Sequence, residues 1–472
     1  MNKQITLLIG AAILSVQTFS ATWLVGPTRT YTMPSQVSTL VSDNDTVAID
    51  ASVYNSDVCR WTANNLVLKG VGGFAHLKAN GNSYGGKAIW VIQGNNTTVE
   101  WIEFSLCACP SNNGAGIRQE GINLTVRNSY FHDNENGILA GDNITSDMLI
   151  EYTEFYNNGF GDGFTHNLYI NHLNSLTFRY NYSHHAKVGH ELKSRAHTNY
   201  ILYNRLANEA TGDASREIDL PNGGSAIVIG NEIEQGPNGQ NSNIVGYGLE
   251  GLTNPTAHEL YFINNTVVND KPSGSFVNVQ SGTALYKAYN NIFAGPGTIL
   301  SGSANMIDTS NNWYVTIAGA GFVNAAAYNY HLLGTSSAIN NGTNPGFANS
   351  YSLTPTLEYV HPASQTGRLI NMQLDKGAHE FGVTFTNEPN KEKLELHIYP
   401  DPSDGNFFVA GNRSGKMKTE LFDPEGDLLF SKEFEFADGI ISFSENEIPE
   451  GIYFLRVSNG SSSSTKKIVI IR

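Results

Sequence analysis

A short unit keeps returning through the middle of this chain of 472 residues: a polar residue, often Asn, then any residue, then usually an apolar one, flanked by short β-type runs. It occurs at Ser129-Tyr130-Phe131, Thr153-Glu154-Phe155, Asn181-Tyr182-Ser183 (an imperfect copy), Asn204-Arg205-Leu206, Asn231-Glu232-Ile233, Asn265-Thr266-Val267 and Asn291-Ile292-Phe293. Successive copies lie about 23 to 34 residues apart, most near 27, a period that puts one turn of a parallel β-solenoid in each repeat. A single coil cannot bury its apolar face alone, so each strand must stack its inward residues on neighbouring coils at roughly 4.8 Å spacing. The fold class predicted is all-β: a parallel β-helix, then a small C-terminal β-sandwich. The recurring Asn is expected at tight bends, where left-handed geometry is tolerated and amides bond coil to coil.

The formal charge of −15 and pI near 5.3 argue against a nucleic-acid surface, because neutralising phosphates requires an excess of Lys and Arg. A polyanionic substrate would need a local basic or metal-loaded patch. Residues 1–21 read as a secretory signal: Lys3, an apolar run from Ile5 to Val16, then Ser20 and Ala21 near the cut. That run is short for a membrane span, and no other stretch reaches spanning length. The mature protein is therefore expected outside the cytoplasm and not as an integral membrane protein. Of three cysteines, one pair could form a local staple, Cys59 with Cys107 or Cys109, leaving one odd thiol.

The solenoid domain is expected over residues 22–382. An N-terminal cap spans about 22–51, and coils run from the Asn65-Leu66-Val67-Leu68 strand to about Leu333. A Gly/Asn/Ser-rich stretch then leads to Asp375-Lys376-Gly377-Ala378-His379-Glu380, which resembles the Asp-x-Gly-Ala-x-Glu ending of secreted bacterial right-handed β-helices. A polar linker covers 383–393. Beyond it, residues 394–472 alternate as in a small β-sandwich. Tyr399-Pro400-Asp401-Pro402 with Gly405, Asp423-Pro424-Glu425-Gly426, Gly451-Ile452-Tyr453-Phe454 and Lys466-Lys467-Ile468-Val469-Ile470 make this tail similar to the type A sorting domain of the type IX secretion system of Bacteroidetes. The resemblance implies export across the outer membrane, to a secreted or cell-surface location, with the secretion machinery as partner.

The outward residues of one solenoid sheet form a long groove suited to a polymer. With Val188 and Leu192 inward, strand parity turns Lys187, Glu191, Lys193 and Arg195 outward; Leu168 and Ile170 inward leave Asn167 and Tyr169 outward; Ile218 and Leu220 inward leave Glu217 and Asp219 outward. His190 takes inward parity. Arg118, Glu120 and Glu250 extend the patch. Removing the C5 proton of a uronic acid requires neutralisation of its carboxylate, a base, and a donor for the leaving oxygen. Lys193 is the candidate base, Arg195 the partner of the substrate carboxylate, and Tyr169 or His190 the donor. Asn167, Lys187, Arg118 and Glu250 are candidate substrate contacts. Glu191, Glu217 and Asp219 offer oxygen ligands for Ca²⁺. The competing interpretation is a set of inter-coil salt bridges of little energetic value.

The helical domain resembles the pectate-lyase-like right-handed β-helix superfamily. More narrowly, Glu191-Leu192-Lys193-Ser194 with Asn199-Tyr200-Ile201-Leu202-Tyr203-Asn204 is similar to the Lys-Ser strand and Asn bend of polysaccharide lyase family six, the alginate lyases and chondroitinase B. That resemblance implies a catalytic base at Lys193. The family's Arg falls near Pro221-Asn222-Gly223, and its calcium glutamates fall at Val188 and Ala186; none of these positions carries the family residue. Arg195 or Arg216 would then supply the cation, and Glu191 with the acids of the next coil the metal site. The leading expectation is a polysaccharide lyase acting by β-elimination on an acidic, uronate-containing polysaccharide. Two alternatives stand beside it: an inverting glycoside hydrolase of polygalacturonase type, with paired carboxylates about 6.5–9.5 Å apart, or a non-catalytic glycan-binding surface protein.

Overall fold

The structure, a computed structural model, describes residues 20–255, 257–382, 396–399, 403, 405–411, 415–423, 427–436, 440–444, 448–458 and 463–471. The expected leader lies outside the described residues except for its last two positions. The 383–393 linker, residues 400–402 and residues 424–426 also lie outside them.

The chain divides into two compact units, residues 1–383 and 384–472. In the first, 29 strands among the described residues pair in parallel, those inside the stack with the strands one coil before and one coil after. Three ladders recur, giving the solenoid its three faces. One passes through Ala115–Gln119, Leu168–Ile170, His190–Ser194 and Arg216–Leu220. A second passes through Leu124–Arg127, Leu173–Arg179, Thr198–Leu202 and Ser225–Ile229. The third passes through Ile102–Ser105, Tyr130–His132, Glu154–Tyr156 and Tyr182–His184. Inward residues form columns, as Phe104, Phe131 and Phe155 do with rings stacked 4.8 and 5.0 Å apart. This is the stacking that a coil too thin to hold its own core demands.

The repeating Asn forms a hydrogen-bonded ladder. At Asn204, Oδ1 accepts the backbone N–H of Asn181 at 2.9 Å, Nδ2 donates to the Phe178 carbonyl at 2.9 Å, and its own N–H donates to Asn231 Oδ1 at 2.9 Å. The same pattern continues through Asn231, Asn265 and Asn291 to Asn312. The amide thereby satisfies backbone groups that a bend would leave buried and unpaired. One detail differs from expectation. The left-handed backbone belongs to the residue before each ladder Asn, at Tyr180, Tyr203, Gly230, Asn264, Asn290 and Asn311, and the Asn itself contributes its side chain.

Two boundaries also shift. Thr22–Val25 already pairs in parallel with Thr46–Ile49, so the first strands belong to the ladder and are not a separate cap. At the other end the solenoid stops at Trp313–Val315, and short antiparallel hairpins follow. The Asp375–Glu380 motif fastens this tail to the coils. Glu380 pairs with buried Arg368 at 2.8 Å, Gly377 N–H donates to the Asn290 carbonyl, and Ala378 N–H to Thr266 Oγ1. Gly377 has φ +88, and a Cβ there would fall 2.7 Å from both Thr266 Oγ1 and the Ile292 side chain, so both conformation and space call for glycine. No disulfide forms: Cys59, Cys107 and Cys109 are buried free thiols. Cys107 Sγ contacts the Asn82 carbonyl and Cys109 Sγ contacts Ser111 Oγ, which keeps them on separate partners.

The second unit is antiparallel. A three-stranded sheet (Leu396–Tyr399, Asn406–Gly411, Ile440–Ser444) and a four-stranded sheet (Gly415–Phe422, Leu428–Phe436, Gly451–Ser458, Ser463–Ile470) share one core containing Leu396, Phe407, Val409, Leu421, Leu455 and Ile468. Among the described residues, no helix is long and apolar enough to cross a membrane.

Candidate functional site

Parallel register sets Tyr169 beside Lys193, Lys193 beside Asp219, and Asp219 beside Gly246. Tyr169 is partly exposed while Lys193 and Asp219 are buried, and Glu250, on the turn after Tyr247, reaches back to Lys193. Lys193 Nζ lies 2.6 Å from Glu250 Oε1 and 3.4 Å from Asp219 Oδ2. Two residues on, Arg195 spreads its guanidinium over three partners: Nε donates to the Tyr169 hydroxyl at 2.9 Å, Nη1 to Asn222 Oδ1 at 2.5 Å and Nη2 to Glu250 Oε2 at 2.5 Å. Arg216 Nη1 donates to Asp219 Oδ1 at 3.1 Å. The Glu250 carboxylate is thus gripped at both oxygens by two cations while its side chain remains 46 % exposed.

Charge is locally reversed in this acidic chain, with Lys193, Arg195 and Arg216 facing the carboxylates Asp219 and Glu250. Burial works to raise the Glu250 carboxyl, but hydrogen bonds from Lys193 and Arg195 outweigh it and hold the group below its ordinary range. Asp219 goes the other way: burial lifts it, against the pull of Arg216 and Lys193. Its Oδ2 makes no hydrogen bond. Burial, reinforced by His166 and Lys193, pushes the His190 imidazole well below its usual range, so it is neutral at neutral pH. Its Nδ1 accepts the Arg216 backbone N–H at 3.2 Å, which assigns the ring proton to Nε2, 3.5 Å from Asp219 Oδ2. His166 repeats the device one coil earlier, its Nδ1 accepting the His190 N–H at 3.0 Å with the rings stacked 4.8 Å apart.

Tyr169, His190, Lys193, Arg195, Asp219 and Glu250 are therefore brought together. The others are not. Asn167, Glu191 and Glu217 were expected outward and are instead fully buried. Glu191 accepts from Asn167 Nδ2 at 2.5 Å, Ser183 Oγ at 3.0 Å and Ala186 N–H at 2.9 Å, all inside the solenoid. His190, expected inward, is buried and hydrogen-bonded through Nδ1, with its ring beside Asp219. Glu191 turns inward because of the corner before its strand. Val188 sits at φ +59, unusual for a β-branched residue, and a Cβ on Gly189 would fall 1.8 Å from the Thr165 carbonyl oxygen. The chain turns so tightly there that Glu191 and Leu192 both point inward, and strict alternation begins only at Leu192. Glu191 and Glu217 consequently share no oxygen cage with Asp219, and this donor set does not fit Ca²⁺.

Lys187 lies at a different corner, lining a cavity of about 450 Å³ with Asn80, Cys107, Asp133, Glu135 and Phe160. Arg118 stands in the column of Tyr169, but Leu139 intervenes, and it faces Glu120 at 3.9 Å. Asn222 and His166 complete the cluster and were not among the expected contacts. Asn222 sits on the turn after Leu220, where no strand periodicity reports direction. His166 would have emerged from noting that two His precede the inward column at the same register.

Two comparisons bear on the chain. No curated protein matches it. Residues 397–471 match the family model of the secretion system C-terminal sorting domain. The C-terminal unit therefore carries the sorting signal of type IX secretion, which directs the chain across the outer membrane to the cell surface or the extracellular space.

Proposed function

We propose that the protein is a secreted carbohydrate-active enzyme that binds a uronate-containing polysaccharide along the first ladder and cleaves it by β-elimination at Lys193. One observation carries this reading: the Glu250 carboxylate, on an exposed and displaceable side chain, bridges Lys193 and Arg195 as a substrate carboxylate would. A uronate carboxylate replacing it would be neutralised by Arg195, acidifying the neighbouring C5–H. With Glu250 displaced, the Lys193 amine is left facing the sugar ring and, in its unprotonated form, takes the C5 proton. The C–H electrons form the C4–C5 double bond and the C4–O bond breaks. The Tyr169 hydroxyl accepts from Arg195 Nε and so keeps its own proton for the departing oxygen. His190 touches Asp219, not the substrate, and acts as a positioning residue.

A second reading is favoured by the two carboxyls of the cluster, Asp219 pushed up and Glu250 held down, the split used by an acid and base pair in glycoside hydrolysis. Incubation of the purified protein with alginate, pectate and glycosaminoglycans separates the cases. Elimination gives products with the ultraviolet absorbance of an unsaturated uronate. Hydrolysis gives reducing ends without it, and retention on the polymer with neither product identifies a glycan binder and ends the enzyme reading.

A further inference from the structure

The third ladder carries a donor set that the groove chemistry does not use. His76, Glu103 and His132 come from three successive coils, with His76 in register with Glu103 and His132 in register with Ser105. Glu103 Oε1 lies 3.3 Å from His76 Nδ1 and 3.0 Å from His132 Nε2. One ligand atom from each residue lies within 4.8 Å of the others. Metal–ligand bonds of about 2.0–2.1 Å in a tetrahedron place neighbouring donor atoms roughly 3.3 Å apart, so these separations already approximate its edges.

The outer nitrogens are organised as well. His132 Nδ1 faces Asp133 Oδ2 at 2.8 Å, and His76 Nε2 faces Ser105 Oγ at 2.7 Å. A carboxylate or hydroxyl on the far ring nitrogen fixes the ring and its tautomer, the arrangement that supports metal-bound histidines. Tyr130 stacks on the His132 ring at 4.4 Å, which holds its plane. The three side chains are each about one-fifth exposed, so a dication can reach them and a water can complete the shell.

We propose that His76, Glu103 and His132 form a zinc(II) site that ties together three successive coils near the N-terminal end of the solenoid, with Asp133 and Ser105 holding the ligand rings. Two imidazoles and one carboxylate with an open fourth position are a zinc donor set. A tie of this kind has a role here, because the three thiols form no disulfide. The other His-rich cluster, His331, Glu358 and His379, keeps Glu358 and His379 buried, whereas His76, Glu103 and His132 are all partly exposed.

Equilibrium dialysis of the full chain against micromolar zinc chloride, after chelator treatment, should leave one equivalent bound and raise the melting temperature. Cobalt(II) added to the metal-free wild type should give the visible bands of a tetrahedral site. His132→Asn and Glu103→Gln should lose the equivalent, with affinity down more than about 100-fold, and Asp133→Ala should weaken it about 10-fold. Metal-free melting temperatures close to wild type would show that the variants fold. Failure of the wild type to bind an equivalent, absence of the cobalt bands, or retention of zinc by His132→Asn would each overturn the site.

Discussion

Asn167, Glu191 and Glu217 form one column on the first ladder; Tyr169, Lys193 and Asp219 form another, two residues along the same three segments. The inner column is fully buried, and neutral donors meet its carboxylates. Burial therefore dominates, lifting Glu191 to about 8 and Glu217 well above the ordinary range. Carboxylates of the outer cluster meet cations. Glu250 is held down by Lys193 and Arg195, and Asp219 is raised by burial against Arg216 and Lys193. The same residue types thus meet neutral donors in one column and opposite charges in the other.

The sharpest test of that division is Lys193→Ala, which should lower turnover on a uronate polymer by about 1,000-fold or more while leaving the melting temperature near wild type. Unchanged turnover would remove Lys193 from the chemistry. Glu191→Ala should do the reverse. It strands three interior donors and should cost about 3 kcal/mol in denaturant unfolding; near-wild-type stability would erase the distinction between the columns. Asn204→Ala breaks the amide ladder at one rung and should cost about 2 kcal/mol by the same measurement, with binding in the groove unaffected.

The remaining test is of pH dependence. The folded chain keeps a proton on Glu191 up to about 8, whereas an unperturbed Glu releases it near 4.5, so stability should fall as pH rises across that window. Glu191→Gln should flatten the slope, and an unaltered slope would show that the interior carboxyl is not its source. His379 adds a second fall in the same direction. Burial opposes its charge, but Glu232 and Glu358 outweigh burial and raise it to about 9. Its contribution is complete below about 6.5 and lost as pH climbs through 9, a loss that His379→Asn should abolish.

Much of the architecture was legible in the residues. The Asn period announced the coils, and the alternation after residue 394 announced the sandwich, because both are local patterns repeated many times. Within the site, alternation put Tyr169, Lys193 and Asp219 on one column, as the register does, although Lys193 and Asp219 were expected in solvent and are buried. Glu191 was misplaced because alternation does not extend back through the bend at Val188-Gly189, and Asn167 and Glu217, at the same register in the coils before and after, are buried with it. Glu250 was linked to the patch without its geometry, because it lies on a turn whose direction no periodicity encodes.

The sequence by itself determined that strands would stack in parallel at a fixed period, that an amide would mark each bend, and that the tail would carry a sorting signal. These follow from repeated local choices, each made by residues near one another in the chain. Only the tertiary structure decided which carboxylates face solvent, that Glu250 closes over Lys193 and Arg195, and that His76, Glu103 and His132 meet. Those outcomes depend on the inter-coil register and on the angle of each corner, which are set when successive coils settle against one another.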